Sequence, residues 1–132
     1  LCAEFQTTDT CAVHVRGGDI VGPGRAFFER ALARMEKERP GLRYLVFTND
    51  KEAAKEALEG EHTERKMTYI SELGAFSDID EFFLMAACRH QIISNSSYST
   101  WAAYLNPNPE KVVIMPEYKG CEQIRLKEWI VL

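Results

Sequence analysis

The chain has 132 residues, of which 45% are hydrophobic and 27% are charged, and its formal net charge is −4. This size and balance are typical of one globular domain over residues 1–132, and the negative charge excludes an overall basic field for binding nucleic acid. No zinc-type spacing of cysteine and histidine occurs, no apolar run reaches the ~18 residues of a membrane span, and no signal-peptide pattern opens the chain. We therefore expect no membrane contact by this segment.

Short apolar runs alternate along the chain with longer amphipathic runs. Strands are predicted over residues 12–15, 44–47, 68–70, 91–94 and 112–115. Helices are predicted over residues 26–38, 52–58 and 81–88, and from Ser96 or Ser97 to Leu105. Asn49 or Asp50 is expected to cap the second helix, and Asp78 or Asp80 is expected to open the third. The alternation predicts an α/β fold, with a parallel sheet of about five strands, right-handed crossovers and helices on both faces.

In such a sheet, ligands bind outside the carboxyl ends of the strands. Three polar groups follow predicted strands, at residues 14–16, 48–50 and 95–97. We expect these groups to open onto one rim of the sheet.

Arg16 ends the first predicted strand and precedes Gly17 and Gly18. Its guanidinium is permanently charged and its donors suit a diphosphate, while the glycines permit close backbone approach. His14 lies two residues earlier, so it shares a face of the strand with Arg16 and could reach the same crevice. A surface arginine beside a packed histidine fits the same pattern.

A serine-rich segment, Asn95-Ser96-Ser97-Tyr98-Ser99, precedes or opens the fourth predicted helix. Unpaired N–H groups at a helix N-terminus, together with serine hydroxyls, can bind a phosphate. The same serines could instead cap the helix. Trp101, one turn further on, could line a ligand pocket or pack against the protein.

The cysteines and the absent motifs limit the chemistry further. Cys11 and Cys88 lie in apolar stretches and are expected to be buried thiols, while a pairing of Cys2 with Cys121 stays open. The P-loop, the Gly-x-Gly-x-x-Gly loop and the Gly-x-Ser-x-Gly elbow are all absent. A P-loop nucleotidase, a dinucleotide dehydrogenase and an α/β-hydrolase are therefore disfavoured.

Several segments together resemble the α-1,2-fucosyltransferase family. Residues 14–21, His-Val-Arg-Gly-Gly-Asp-Ile-Val, are similar to the family's His-x-Arg-Arg-Gly-Asp-Tyr-Val, and residues 47–50 are similar to its Phe-Ser-Asp-Asp. Residues 92–99, Ile-Ile-Ser-Asn-Ser-Ser-Tyr-Ser, are similar to Ile-Ile-Ala-Asn-Ser-Ser-Phe-Ser. Residues 80–90 and 106–116 also follow the family pattern, including its Asn-x-Asn-Pro. The resemblance spans roughly residues 11–132.

The resemblance implies the Rossmann-like, C-terminal donor-binding domain of a two-domain GT-B glycosyltransferase, with the N-terminal acceptor domain of the family absent from this chain. It implies inverting transfer of fucose from GDP-fucose to a galactose hydroxyl of a glycan. Arg16 would be the catalytic residue and would neutralise the β-phosphate. The other residues implied to bind GDP-fucose are His14, Asp19, Asp80, Asn95, Ser96, Ser97, Ser99 and Trp101.

No cofactor is expected by this resemblance, because the family needs no metal. Asp78-Ile79-Asp80 is similar to the Asp-x-Asp metal site of another class of glycosyltransferases, but two aspartates at this spacing are also common where helices begin. Asp80 is therefore interpreted as an acceptor of hydrogen bonds from a guanine edge.

Two alternatives stay open. The second arginine of the family signature is Gly17 here, so the chain could be a non-catalytic module that binds GDP or a GDP-sugar. It could also belong to a fucosyltransferase of another linkage, because the His-x-Arg feature is shared among several. The sequence leaves the compartment open, which would be the cytoplasm for a bacterial member and the Golgi for an animal one.

Overall fold

The structure is a computed structural model that describes residues 9–16, 24–58, 66–70, 77–95, 97–117, 125–126 and 128–132. In these ranges the strands are β1 (Thr10–Val15), β2 (Arg43–Thr48), β3 (Lys66–Tyr69), β4 (His90–Ile92), β5 (Val113–Met115) and β6 (Ile130–Val131). The helices are α1 (Arg25–Glu38), α2 (Lys51–Leu58), α3 (Asp78–Ala87) and α4 (Ser97–Leu105).

The strands form one parallel sheet in the order β3-β2-β1-β4-β5-β6. This is the strand order of a doubly wound, Rossmann-like domain, and it confirms the predicted fold class. The sequence predicted about five strands, because β6 has two residues and gives no periodic signal. β6 is held by its pairing with β5, in which Ile130 is the partner of Ile114.

Helices cover both faces of the sheet, as the alternation predicted. On one face α1 and α2 pack against Cys11, Val13 and Val15 of β1. On the other face α3 and α4 pack against Ala12 and against residues of β2. Side chains alternate between the two faces of a strand, so β1 contributes to both cores and is buried along its whole length.

Most element boundaries lie within two residues of the predicted ones.

The starts of two helices have local causes. Asp50 caps α2, as predicted, because its carboxylate accepts a hydrogen bond from the backbone N–H of Ala53 at 3.1 Å. α3 begins at Asp78, which was one of the two aspartates predicted to open it. The cap is Ser77, whose hydroxyl accepts a hydrogen bond from the Asp80 N–H at 3.2 Å. A serine hydroxyl at this position satisfies one of the otherwise unpaired N–H groups of the first turn.

Cys11 and Cys88 are buried free thiols, as predicted. Burial raises the pKa of the Cys11 thiol well above its usual value, so this group stays protonated and unreactive. Cys2 and Cys121 lie outside the described residues.

Candidate functional site

The strand order reverses between β1 and β4, because β2 lies on one side of β1 and β4 lies on the other. Ligands of open parallel sheets bind outside the carboxyl ends of the strands at such a point. Arg16 follows β1 directly, and residues 93–95 follow β4. Val15 is in register with Thr48, so the end of β2 opens onto the same edge. The described residues of the three polar groups predicted to share a rim therefore do share it, while Ser96 lies outside the described residues.

His14 lies inside this crevice with only 6% of its surface exposed. Its Nδ1 atom lies 2.7 Å from the hydroxyl oxygen of Ser94, and its ring centroid lies 5.6 Å from that of Tyr98 in α4. Burial, and then the charge of Arg16, lower the pKa of His14 from 6.5 to about 4. The ring is therefore neutral near pH 7, and one of its nitrogens donates a hydrogen bond while the other accepts one.

Arg16 is partly buried at the head of the crevice. Its Nε atom is buried and has no hydrogen-bond partner, and no carboxylate pairs with its guanidinium within the described ranges. A buried donor of a charged group is costly to leave unpaired, unless an anion is bound there during function. The orphaned donor therefore points to an anionic ligand.

A cleft of about 400 Å³ opens beside Arg16. It is lined by Val15, Arg16, Gly24, Arg25, Ala53, Glu56 and Ala57. The charged residues of the lining are Arg16, Arg25 and Glu56, and Arg25 is ion-paired with Glu29 at 3.2 Å, so Arg16 is the main source of positive charge in the described lining. The same wall contains the start of α1, where Gly24 offers no capping side chain and the first turn has no acidic residue. The dipole at the start of α1 adds to the positive potential of the cleft.

The serine segment divides into an outer and an inner part. Ser97 is the first residue of α4 and is exposed on the rim, and Asn95 is partly buried just before it. Ser99 is completely buried. Its hydroxyl accepts a hydrogen bond from the Ser94 N–H at 3.3 Å and lies 3.4 Å from the Ser94 hydroxyl. Ser99 thus holds the turn that carries Ser94, while Ser97 faces solvent.

The structure does not bring Asp80 and Trp101 into contact with His14 or Arg16 within the described residues. Asp80 is exposed in the first turn of α3, at the same edge of the sheet. Trp101 is 59% exposed on α4, and its ring packs edge-on against that of Tyr104 at 5.5 Å. Their predicted contacts with a nucleotide sugar remain predictions.

Asp19, Ser96, Gly17 and Gly18 were also predicted at the site, but they lie outside the described residues. Among the residues that are described, no three side chains of His, Cys, Asp or Glu cluster in a way that could hold a metal ion. The side chain of Asp78 is not among those described.

Ser94 and Tyr98 are the site residues that the sequence reasoning missed. Ser94 was predicted to be the last residue of a strand, but the strand ends at Ile92 and the Ser94 N–H bonds to Ser99 instead of to a neighbouring strand. One signal in the sequence could have identified Ser94. It is a polar residue that directly follows an apolar run at the end of a predicted strand.

Comparisons with known proteins agree with the motifs. The sequence profile of glycosyl transferase family 11 matches residues 4–132. A protein of Escherichia coli, the O-antigen biosynthesis glycosyltransferase WbnK, is 29% identical over 123 residues, which cover 84% of this chain and 39% of that protein. The chain thus spans well under half of this relative's length. No solved structure matches the chain.

Within the described ranges, every helix is too short or too polar to cross a bilayer.

The family match covers nearly the whole chain, including the crevice between β1 and β4 and the cleft beside Arg16. The chain therefore belongs to glycosyl transferase family 11, the fucosyltransferase family that its motifs resemble.

Proposed function

We propose that this chain is the donor-binding part of an α-1,2-fucosyltransferase and that it binds GDP-fucose without a metal ion. Family membership supports fucosyl transfer, and the crevice at the reversal of strand order supports a nucleotide ligand. The observation that carries the proposal is the buried Nε donor of Arg16, which has no hydrogen-bond partner among the described residues. A diphosphate would supply the acceptor oxygens and the negative charge that this group lacks.

Arg16 would do its chemical work on the leaving group. A hydroxyl of the acceptor sugar forms a bond to C1 of fucose and loses its proton to a general base. The bond from C1 to the β-phosphate oxygen breaks, and the electron pair leaves with GDP. A fixed guanidinium stabilises the negative charge that grows on the β-phosphate in the transition state. Because attack and departure occur on opposite faces, the anomeric centre inverts.

The remaining residues would bind the nucleotide. His14 is neutral near pH 7, so it offers a hydrogen bond without adding to the charge of Arg16. The start of α4 with Ser96 and Ser97 would bind the diphosphate through N–H groups and hydroxyls. Asp80, exposed at the same edge, would accept hydrogen bonds from the guanine.

The acceptor is proposed to be a glycan with a terminal galactose. The relative named for O-antigen biosynthesis supports a glycan as the class of acceptor. The chain covers 39% of that relative. The resemblance implies a two-domain enzyme in which transfer takes place between the domains. We therefore expect the isolated chain to bind the donor, while transfer also needs an acceptor-binding domain.

The first test is calorimetric titration with GDP, GDP-fucose and UDP-glucose in the presence of EDTA. We expect the two guanine ligands to bind and UDP-glucose not to bind. Arg16→Ala should weaken GDP binding by about 10- to 100-fold, because a hydrogen bond to a charged group contributes about 1.5–3 kcal/mol.

Arg34→Ala is the matched control for this test. Arg34 lies on α1 and forms a partly buried i,i+4 ion pair with Glu38 at 3.0 Å, so its loss removes one positive charge away from the site. GDP affinity should stay within about two-fold of the wild type, because solvent screens a partly exposed charge that lies away from the site. If Arg16→Ala and Arg34→Ala weakened GDP binding equally, Arg16 would act only through the overall charge of the protein, and the proposal would be contradicted.

The non-catalytic module is the second candidate, and the glycine at position 17 favours it, because the family signature has an arginine there. It predicts the same binding of GDP but no transfer, even when an acceptor domain is supplied. The two candidates are distinguished by assaying a polypeptide that contains both domains. Transfer of fucose to a galactoside would favour the enzyme, and binding of GDP without transfer would favour the non-catalytic module.

A further inference from the structure

Ser94 occupies a central position that the proposed mechanism does not use. It is completely buried between the end of β4 and the start of α4. Its hydroxyl oxygen lies 2.7 Å from Nδ1 of His14 on the neighbouring strand, and its N–H is bonded to Ser99. Ser94 therefore connects the two strands at the point where the strand order reverses.

The hydroxyl of Ser94 has two neighbours and a single proton. Nδ1 of His14 lies at 2.7 Å, whereas the hydroxyl oxygen of Ser99 lies at 3.4 Å. The shorter distance is ideal for a hydroxyl donor, and the longer one is weak. We infer from this difference that the proton of Ser94 is directed at Nδ1, which then accepts the hydrogen bond.

This hydrogen bond determines the protonation of Nε2 on the other side of the His14 ring. A neutral imidazole carries one proton, so a ring whose Nδ1 accepts must carry its proton on Nε2. Nε2 of His14 has no hydrogen-bond partner within the described part of the chain. The ring thus offers an N–H donor that is available for an acceptor atom of a ligand.

We propose that Ser94 is a positioning residue that holds His14 in the Nε2–H tautomer, so that the ring donates to an acceptor atom of the bound nucleotide. The packing of Tyr98 against the ring fixes its orientation on the other side. The family pattern given above has alanine where Ser94 stands, so this bond is a feature of the present chain. Only the identity of the ligand rests on the proposed function.

The tautomer is tested without any ligand. In protein labelled with ¹⁵N-histidine, long-range ¹H–¹⁵N spectra at pH 7 distinguish a protonated ring nitrogen from an unprotonated one. We expect His14 of the wild type to be protonated at Nε2, and Ser94→Ala to give a mixture of tautomers. A wild-type ring protonated at Nδ1, or spectra of His14 identical in both proteins, would overturn the inference.

His90 provides an internal control in the same spectra. Its Nδ1 accepts a hydrogen bond from the backbone N–H of Val112 at 3.0 Å, so the main chain fixes its tautomer. The His90 signals should be unchanged in Ser94→Ala. A change at both histidines would indicate a general loosening of the fold and would also count against a specific role of Ser94.

The consequence for binding is tested by titration with GDP. Ser94→Ala should weaken GDP binding about three- to ten-fold, the effect expected when one neutral hydrogen bond loses its fixed geometry. Thr10→Val is the matched control. Thr10 is a buried hydroxyl at the opposite end of β1, where it accepts from the Arg89 N–H at 3.4 Å, and its loss should leave GDP affinity unchanged.

The two experiments separate the two proposals. If the tautomer shifts in Ser94→Ala but GDP affinity does not, the positioning role toward the nucleotide is wrong. If wild-type protein binds no guanine nucleotide, the proposed function fails, while the spectra still decide whether Ser94 sets the tautomer of His14.

Discussion

Two buried histidines, His14 and His90, are held in the neutral form. Burial is the main cause for both, nearby arginine charges add to it, and the pKa of each falls from 6.5 to about 4. For His90 there is also a structural reason, because Nδ1 accepts from the backbone of Val112 and protonation would remove that acceptor. Both rings are therefore built to be uncharged.

The free energy of unfolding should consequently depend on pH. Between pH 6.5 and pH 4 the unfolded chain binds protons at both positions and the folded chain does not, so the folded state loses stability as the pH falls. Each histidine contributes a slope of at most about 1.4 kcal/mol per pH unit. Urea unfolding at pH 7, 6 and 5 should show the fall.

His90→Gln is the comparison for the pH dependence. In this variant the free energy of unfolding should fall less steeply as the pH decreases from 6.5 to 5, because roughly one proton fewer is taken up on unfolding. An identical slope in the two proteins would show that His90 is not the group responsible.

The charge of Arg16 acts on His14 over a short distance, and this gives a second prediction at the scale of single residues. Arg16→Ala should raise the pKa of His14, because a neighbouring positive charge is removed. The pKa should stay below 6.5, because burial is the larger cause. An NMR titration of the ring of His14 measures the change, and an unchanged pKa would contradict the proximity of the two groups.

At the scale of elements, helices α3 and α4 are tied together at the edge of the sheet opposite the crevice. Gln91 donates to the carbonyls of Met85 and Cys88 at the end of α3. Asn106, just after α4, donates to Gln91 Oε1 at 2.9 Å and to the Arg89 carbonyl at 3.0 Å. Part of the Asn-x-Asn-Pro pattern thus has a structural role, as these side chains bind helix ends and loops.

Asn106→Ala should therefore lower the free energy of unfolding by about 1–3 kcal/mol, because buried polar groups lose their partners. GDP affinity should not change, since the network lies at the far edge of the sheet. Chemical denaturation and titration on the same sample test both statements. A large loss of GDP affinity in a stably folded Asn106→Ala protein would show that the two edges are coupled.

At the scale of the whole molecule, the last residues of the chain complete the sheet. Trp129 is 4% exposed and packs with Ile93, Val113 and Met115 in a separate cluster of the core. Leu132 donates its N–H to the Met115 carbonyl at 3.0 Å, which continues the pairing beyond β6. Trp129 thus packs against β5 and against the residue that follows β4, both of which precede it in the sequence.

Trp129→Ala should lower the free energy of unfolding by about 3–5 kcal/mol, as expected when a large aromatic side chain is removed from a core. Trp129→Phe should lower it by about 1 kcal/mol or less. The indole N–H is buried and has no hydrogen-bond partner among the described residues, so phenylalanine loses no hydrogen bond there. A similar loss for both variants, measured by urea unfolding, would contradict the unpaired state of this N–H.

The sequence by itself determined the class of fold and the location of the candidate site. Continuous apolar runs such as residues 44–47 can only be buried on both faces, and their alternation with amphipathic helices requires a parallel sheet with crossovers. Parallel strands end at one edge, so His14, Arg16 and Asn95 had to lie on the same rim. These features follow from local periodicity and from the handedness of the chain.

The tertiary structure alone decided what the local signals leave open. The pairing of the two-residue strand β6 depends on β5, and the bond between His14 and Ser94 joins residues 80 positions apart. Ser97 and Ser99 look alike in the sequence, but one is exposed and the other is fully buried. Burial, the partner of a side chain and the pKa that results depend on long-range packing, and residue periodicity carries no information about that packing.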